Sequence, residues 1–401
     1  MNIATTDNRR IYLGSELVAS VDRFPSPIEF DDDDDDRSPV SPDLGLAARL
    51  ARTAQRGVLD YIYIDDTVAG NPPFSGRRRN GLDSIRLATR LASATAGVHL
   101  IPVVRSSWVE PSSLLEALVG LEIASAGRHG WELQLLDHAS PNTHSGELLT
   151  AIVEDAWSEG KPRTKLAASA RAMRRQRMSA GPDAAGRPDP ATRVSPKSRP
   201  GRADQRAHGQ TGSGPLRPRP TLVIRADTPQ SAVLAAERAD IARIKAASAD
   251  DAAAKRTHLQ DAAVEAGRAP ESVKVLVDLT VTLAAEVSHA EARKDLAEGI
   301  TGQQLGGGFA RYIGTPAGLA ESCAEWADQG ACDGFTFLPT SLPVDLMMVV
   351  DGVTPALAAI GRFPSAYGRA GHHSAATHSV PPPRRREQAD RPRVGSARRP
   401  G

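Results

Sequence analysis

Four short polar clusters follow or end apolar runs in this chain. They are Asp65-Asp66 after Val58–Ile64, Arg105-Ser106-Ser107 after Val98–Val104, Glu132 and Gln134 within Trp131–Leu136, and Asp227-Thr228 after Thr221–Arg225. Each offers chemistry and also has a purely structural reading. Neighbouring carboxylates can hold a cation or orient a polar ligand, but they also fit a loop turn. No histidine stands nearby to complete a metal site. The serine pair can contact a ligand or merely satisfy loop backbone. Thr228-Pro229 is a helix start, with Thr as N-cap and Pro at the first helical position. The unpaired N–H groups and positive dipole end of such a terminus attract phosphate.

The remaining candidates are weaker. His138 and His144 are the histidines nearest these clusters, whereas His99 falls within an apolar run and reads as core. Cys323 and Cys332 read as packing residues, and two cysteines cannot build a disulfide scaffold or a cysteine-rich zinc site. The run Asp31–Asp36 is contiguous and lacks the spacing of a folded-back cation loop. No G-x-S-x-G elbow, H-E-x-x-H pair, Walker loop or strand-linked G-x-G-x-x-G occurs. The chain shows no apolar run of membrane-spanning length and no secretory leader pattern, so a cytoplasmic protein without a membrane partner is expected.

The elements that must position these clusters alternate. Strands are expected at Ile11–Val18, Val58–Ile64, Val98–Val104, Trp131–Leu136, Thr221–Arg225, Ile241–Ile244, Val273–Leu283 and Gly334–Leu338. Helices are expected between them, among them Leu46–Arg56 with Leu46, Leu50 and Ala54 on one face. The helix from Pro111 to about Ala126 would bury Leu114, Leu115, Leu118, Leu121 and Ile123, and a single helix would span Pro343–Ile360. Short apolar strands linked through helices imply a parallel sheet buried on both faces. About eight β/α units over 401 residues favour an α/β fold of the closed (β/α)8 TIM-barrel type over an open doubly wound sheet. In such a barrel the polar strand ends gather at one mouth.

Two segments break the pattern. Residues 160–220 carry fifteen Lys or Arg against three Asp, and residues 361–401 carry nine Arg against Glu387 and Asp390. Both are rich in Pro, Gly, Ser and Ala, a composition that cannot bury enough apolar surface to offset ordering entropy. The organisation expected is therefore 1–159 and 221–360 as barrel halves, 160–220 as a disordered basic insertion and 361–401 as a disordered basic tail. The sharp compositional edges also suit out-of-frame or decayed sequence, which translation of the neighbouring reading frames would test. A nucleic-acid partner ranks low, because the insertion lacks aromatic residues to stack bases.

The stretch from Val109-Glu110-Pro111 to Gly127-Arg128-His129-Gly130-Trp131 resembles the luciferase-like flavin-dependent monooxygenases, in the branch that includes nitrilotriacetate monooxygenase. Gly57–Tyr61 leading to Asp65-Asp66-Thr67, Gly314-Thr315-Pro316, Glu325-Trp326 and Ala331–Phe335 extend the resemblance over roughly 10–157 and 220–360. It implies a (β/α)8 barrel and FMN, supplied reduced by a separate NAD(P)H:flavin reductase. It also implies O2 as co-substrate, a small organic substrate and a homodimer. A related branch uses a deazaflavin, and a degenerate, inactive barrel is the other alternative. On matching positions the resemblance places Asp66 near the flavin ring, Ser106 or Ser107 beside the isoalloxazine and Thr228 near the phosphate. It assigns no catalytic residue. Three departures stand out: Glu132 replaces the branch's usual Asn, Ser112 and Ser113 replace its aromatic and histidine, and the basic insertion replaces an ordered one. A carboxylate at 132 is expected to repel an anionic flavin.

Overall fold

The computed structural model describes residues 10–17, 44–65, 82–106, 109–135, 142–158, 219–302, 304 and 310–367. Nine parallel strands run β1 (Tyr12–Glu16), β2 (Tyr61–Ile64), β3 (His99–Arg105), β4 (Gly130–Gln134), β5 (Thr221–Arg225), β6 (Ile241–Lys245), β7 (Lys274–Leu283), β8 (Ala310–Gly314) and β9 (Gly334–Pro339). Neighbours pair in sequence order from β1 to β7, then β7 pairs with β9 and β9 with β1, so eight strands close a ring. The expected barrel is present.

The strand β8 was not expected. It pairs with Leu279–Leu283 on the edge of β7 that β6 leaves free after Asp278. Its signal is weak because Arg311, Tyr312 and Ile313 are not buried, so no apolar run marks it.

Helices cover the ring as α1 (Leu44–Arg56), α2 (Asp83–Leu91), α3 (Pro111–Ser125), α4 (Asn142–Ser158), α5 (Pro229–Arg238), α6 (Ala249–Glu265), α7 (Val287–Thr301) and α8 (Pro316–Asp328), ending with α9 (Val344–Met348) and α10 (Thr354–Ala359). Several starts are legible in the sequence. Pro111, Pro229 and Pro316 each open a helix behind a side-chain cap from Glu110, Thr228 and Thr315. Two expected faces are corrected. On α1 the buried set is Ala47, Leu50, Ala51 and Ala54 while Leu46 is exposed, and on α3 Ile123 is exposed. The single helix expected over Pro343–Ile360 is broken by a π turn at Val349–Val353. Pro355 has no N–H to give to the preceding turn, so the regular ladder cannot continue through it.

The strands alternate faces as their pleat requires. Ile62, Ile64, Leu100, Val104, Trp131, Leu133, Leu222 and Ile224 meet the helices in the large outer core. Tyr61, Tyr63, Ile101, Val223, Ile241 and Leu276 form a separate cluster inside the ring.

A repeated aspartate clamp closes the N-terminal end. Asp60, Asp240 and Asp333 each precede a strand. Each donates its own N–H to a carbonyl on the neighbouring strand, of Leu13, Leu222 and Val275 respectively. Each carboxylate then accepts the N–H of that same residue, at 2.9, 2.8 and 2.9 Å. Arg10, Arg219 and Arg256 pair with the three carboxylates. Residues 361–367, grouped with the tail on composition, also belong to this end. Ile11 donates to the Arg362 carbonyl, Phe363 is buried, and the Tyr367 hydroxyl donates to the Leu59 carbonyl.

Burial pushes the Asp60 pKa up to about 6, against the opposing pull of Arg10 and the Leu13 N–H. A carboxyl raised on folding binds its proton more tightly in the native state. Its stabilising contribution is therefore complete below the unfolded value of 3.8 and is lost as pH rises through about 6. Over that window the stability difference between the wild type and Asp60→Asn should fall by about 3 kcal/mol. Urea unfolding of both proteins between pH 4 and 7 checks this, and a difference independent of pH would contradict it.

Candidate functional site

The barrel interior is built in storeys. At the N-terminal end the ring is filled by the apolar cluster of Tyr61, Ile101, Val223, Ile241 and Leu276. Above it the inward position of nearly every strand becomes charged or polar: Glu16 on β1, Tyr63 on β2, Glu132 on β4, Arg225 on β5, Arg243 on β6, Asp278 on β7 and Thr336 on β9. Arg243 is fully buried and organises this storey. Its Nε donates to Asp278 Oδ1 at 2.8 Å, its Nη1 to Glu132 Oε2 at 2.5 Å and its Nη2 to Glu16 Oε1 at 2.7 Å. The guanidinium also lies 4.3 Å from the centre of the Tyr63 ring. Arg225 adds bonds to Glu132 Oε1 at 3.3 Å and Glu16 Oε1 at 3.1 Å. Burial alone would lower the Arg243 pKa, but Asp278 and Glu132 outweigh it and raise the group further, so it stays cationic.

Two residues further along each strand lies the rim. On β2 and β3, Arg105 Nη2 contacts both Asp65 oxygens, at 2.9 and 3.0 Å. The next residue, Ser106, is buried, and its hydroxyl has no partner among the described residues. Gln134 stands in register with Arg105, and its side-chain oxygen is also buried without a partner among those residues. On β6, Lys245 reaches Asp227 at 2.9 Å, just before the start of α5. Thr228 and Ser231 form a reciprocal capping box there, with Thr228 Oγ1 accepting from Ser231 N at 3.2 Å and Ser231 Oγ accepting from Thr228 N at 3.0 Å. Beyond β7, Asp345 is fully buried and accepts from Leu283 N and Arg293 Nη1 at 3.0 and 2.7 Å. These groups occupy one end of one ring.

Residues 26–330 match the sequence profile of luciferase-like monooxygenases. The chain belongs to the luciferase-like monooxygenase family. Among its relatives is the N-acetyl-S-(2-succino)cysteine monooxygenase of Bacillus subtilis, 21% identical, the match covering 82% of this chain and 89% of the relative. EDTA monooxygenase (EmoA) from Chelativorans sp. BNC1 shares the fold with a TM-score of 0.63 at 21% identity, over 90% of this chain and 96% of that one. The coenzyme F420-dependent tetrahydromethanopterin reductase of Methanopyrus kandleri has the same fold at a TM-score of 0.53 and 14% identity, over 86% of this chain and 99% of that one. The barrel of this luciferase-like family member therefore agrees with both its sequence pattern and its relatives.

Of the expected site residues, Ser106 directly follows β3 and Thr228 caps α5 three residues after β5, and these two strands flank β4. Asp66, Ser107, His138 and the side chain of His144 fall outside the described residues. Glu132, expected to repel an anionic flavin, lies inside the barrel with one oxygen accepting from Arg225 and the other from Arg243. A flavin needs hydrogen-bonding groups at its ring edge, a cation or helix terminus at its phosphate and a wall that excludes water. The unpartnered Ser106 and Gln134 groups, and Lys245 beside α5, fit those needs. Among the described residues no cluster of metal-ligating side chains accompanies them. Of the ion cluster the sequence reading singles out Glu132 alone; Glu16, Arg225, Arg243, Asp278 and Lys245 escape it, although a charged residue within or ending successive apolar strands is their visible signal.

Proposed function

We propose that the chain is a flavin-dependent monooxygenase that takes reduced FMN from a separate NAD(P)H:flavin reductase and oxygenates a small organic substrate. The observation that carries this reading is the rim itself, where the buried Ser106 hydroxyl and Gln134 side-chain oxygen have no partner among the described residues and follow a storey of buried, paired charges. When bound, reduced flavin supplies the electrons that activate O2. The protein's own part is binding, orientation and exclusion of water. In this reading Ser106 and Gln134 hydrogen-bond the ring edge, with Asp66 and Ser107 beside them. Thr228 keeps its hydroxyl in the capping box and so holds the α5 terminus in shape, while Lys245 and that terminus hold the phosphate. Tyr63 and Arg243 keep their protons and serve as fixed walls. The B. subtilis relative and EmoA are both named monooxygenases, which favours FMN over a deazaflavin.

Fluorescence titration separates the alternatives. Saturable quenching of FMN or reduced FMN at micromolar protein, stronger than that of a deazaflavin, supports the proposal. Preference for the deazaflavin moves the reading to hydride transfer. No binding of any of them marks a degenerate barrel.

A further inference from the structure

On one wall of the mouth, β7 and β9 end on two threonines. Thr282 stands four residues beyond Asp278 and Thr340 four beyond Thr336, so the pleat turns both toward the interior of the ring. They follow Val281 and Pro339, which are partners in register. The two hydroxyls meet at 2.7 Å, and the residues are only 3% and 2% exposed. A threonine hydroxyl has one hydrogen to donate and two lone pairs that accept. The mutual bond uses one of the two hydrogens, and among the described residues neither hydroxyl has another partner. One buried O–H hydrogen is thus left without an acceptor there, which costs free energy until an acceptor arrives.

Packing does not require these hydroxyls. The Thr340 N–H donates to the Val281 carbonyl at 2.9 Å. The next residue of each strand is held by one carboxylate: Asp345 accepts from Leu283 N at 3.0 Å and from Ser341 N at 2.8 Å. Arg293 spans both, donating to the Leu283 carbonyl, to Asp345 Oδ1 at 2.7 Å and to Ser341 Oγ at 2.6 Å. Other groups therefore fix the backbone on both sides, and valines would fill the same volume. In the ring of eight strands β7 lies opposite β3, and β9 opposite β4, so the pair faces the wall that carries Ser106 and Gln134.

Resting on the flavin reading above, we infer that the Thr282–Thr340 pair binds the substrate, and that this substrate carries an acceptor oxygen (a carbonyl, amide or carboxylate) and is not a bare hydrocarbon. With the flavin ring edge at β3 and β4 and its phosphate at Lys245 and α5, the opposite wall faces the molecule to be oxygenated. The pair gives its spare hydrogen to that oxygen. Because its backbone is already fixed, little ordering is lost on binding. A hydrocarbon in the same place would seal the hydrogen away unsatisfied, so the pair discriminates against it.

The test uses the full chain saturated with oxidised FMN, with benzamide, benzoate and toluene as probes of one shape. Dissociation constants are read from the visible absorption of the bound flavin. Changing the pair with Thr282→Val and Thr340→Val should lower the ratio Kd(toluene)/Kd(benzamide or benzoate, whichever binds the wild type more tightly) about tenfold. Thr282→Ser with Thr340→Ser should keep the ratio within about twofold of the wild type. The valine variant should also keep its affinity for FMN and its urea midpoint, since both partners of one bond are replaced by apolar groups of the same shape. A ratio unchanged in the valine variant overturns the inference and leaves the flavin reading intact. So does a loss of FMN affinity with the ratio unchanged, which would place the pair on the flavin, and so does a wild type that answers to none of the three probes. Failure of the wild type to bind FMN sinks the flavin reading and the inference with it. If the double valine variant does not fold, at least one of the single valine variants must lower the ratio as far.

Discussion

Replacing Arg243 with Met is expected to lower the unfolding free energy by about 3–5 kcal/mol, the range for removing one partner of a buried ion pair. Arg243 donates to three carboxylates that are themselves buried, and it lies over the Tyr63 ring. Methionine fills a similar length but removes the guanidinium that Glu16, Glu132 and Asp278 share. The loss should come from stranded charge and not from missing volume, which gives the prediction a second arm. Adding Glu132→Gln and Asp278→Asn to Arg243→Met removes two of the stranded charges and should recover more than half of the loss. Groups in one network couple strongly, so the triple variant will be more stable than the sum of separate effects implies. Urea unfolding is the appropriate measurement, since guanidinium salts screen charge. A loss under about 1 kcal/mol for the single variant would show that water reaches the cluster and that the barrel is not dry.

The second large effect concerns the seam where the ring closes. Gly334 opens β9 and stands in register with Tyr12 of β1 and Leu276 of β7. A Cβ built at 334 would lie 2.0 Å from the Tyr12 carbonyl oxygen and within 2.8 Å of the Tyr12 carbonyl carbon and nitrogen. These are backbone atoms, so no rotamer change relieves the clash. Gly334→Ala must push β1 away from β9, straining Tyr12 N–H to Asp333 carbonyl at 3.1 Å and the pairing beyond it. The expected cost is about 3 kcal/mol, at the upper end for overpacking. Amide exchange should accelerate first in β1 and β9. Wild-type stability in Gly334→Ala would mean that the strands do not meet there.

The parts of this fold that could be read in advance share a physical basis. Apolar strands such as Leu222–Ile224 and Val275–Leu279 are buried on their outer face whatever the rest of the chain does, and Thr-Pro starts fix helix ends locally. What escaped the sequence depends on contacts between distant residues. The strand β8 exists only because β7 outruns β6, a fact of register and not of composition. Leu46 and Ile123 are apolar yet exposed, because periodicity finds a stripe without fixing its centre. The aspartate clamps were hidden because each reads locally as one acidic residue before a strand. The ion cluster draws on five strands, and the bonded pair Glu16 and Arg243 alone is separated by 227 positions. Ser106 and Thr228 were visible as strand-end residues, which is where barrel chemistry gathers.

The proposed function requires the C-terminal mouth of this barrel to bind reduced flavin out of contact with bulk water. Stopped-flow mixing of anaerobic reduced FMN and protein with O2 tests it most directly. Flavin reoxidation should depart from the course of free reduced FMN, with a dependence on protein concentration that saturates. Traces that superimpose on those of free flavin at every protein concentration would contradict the account.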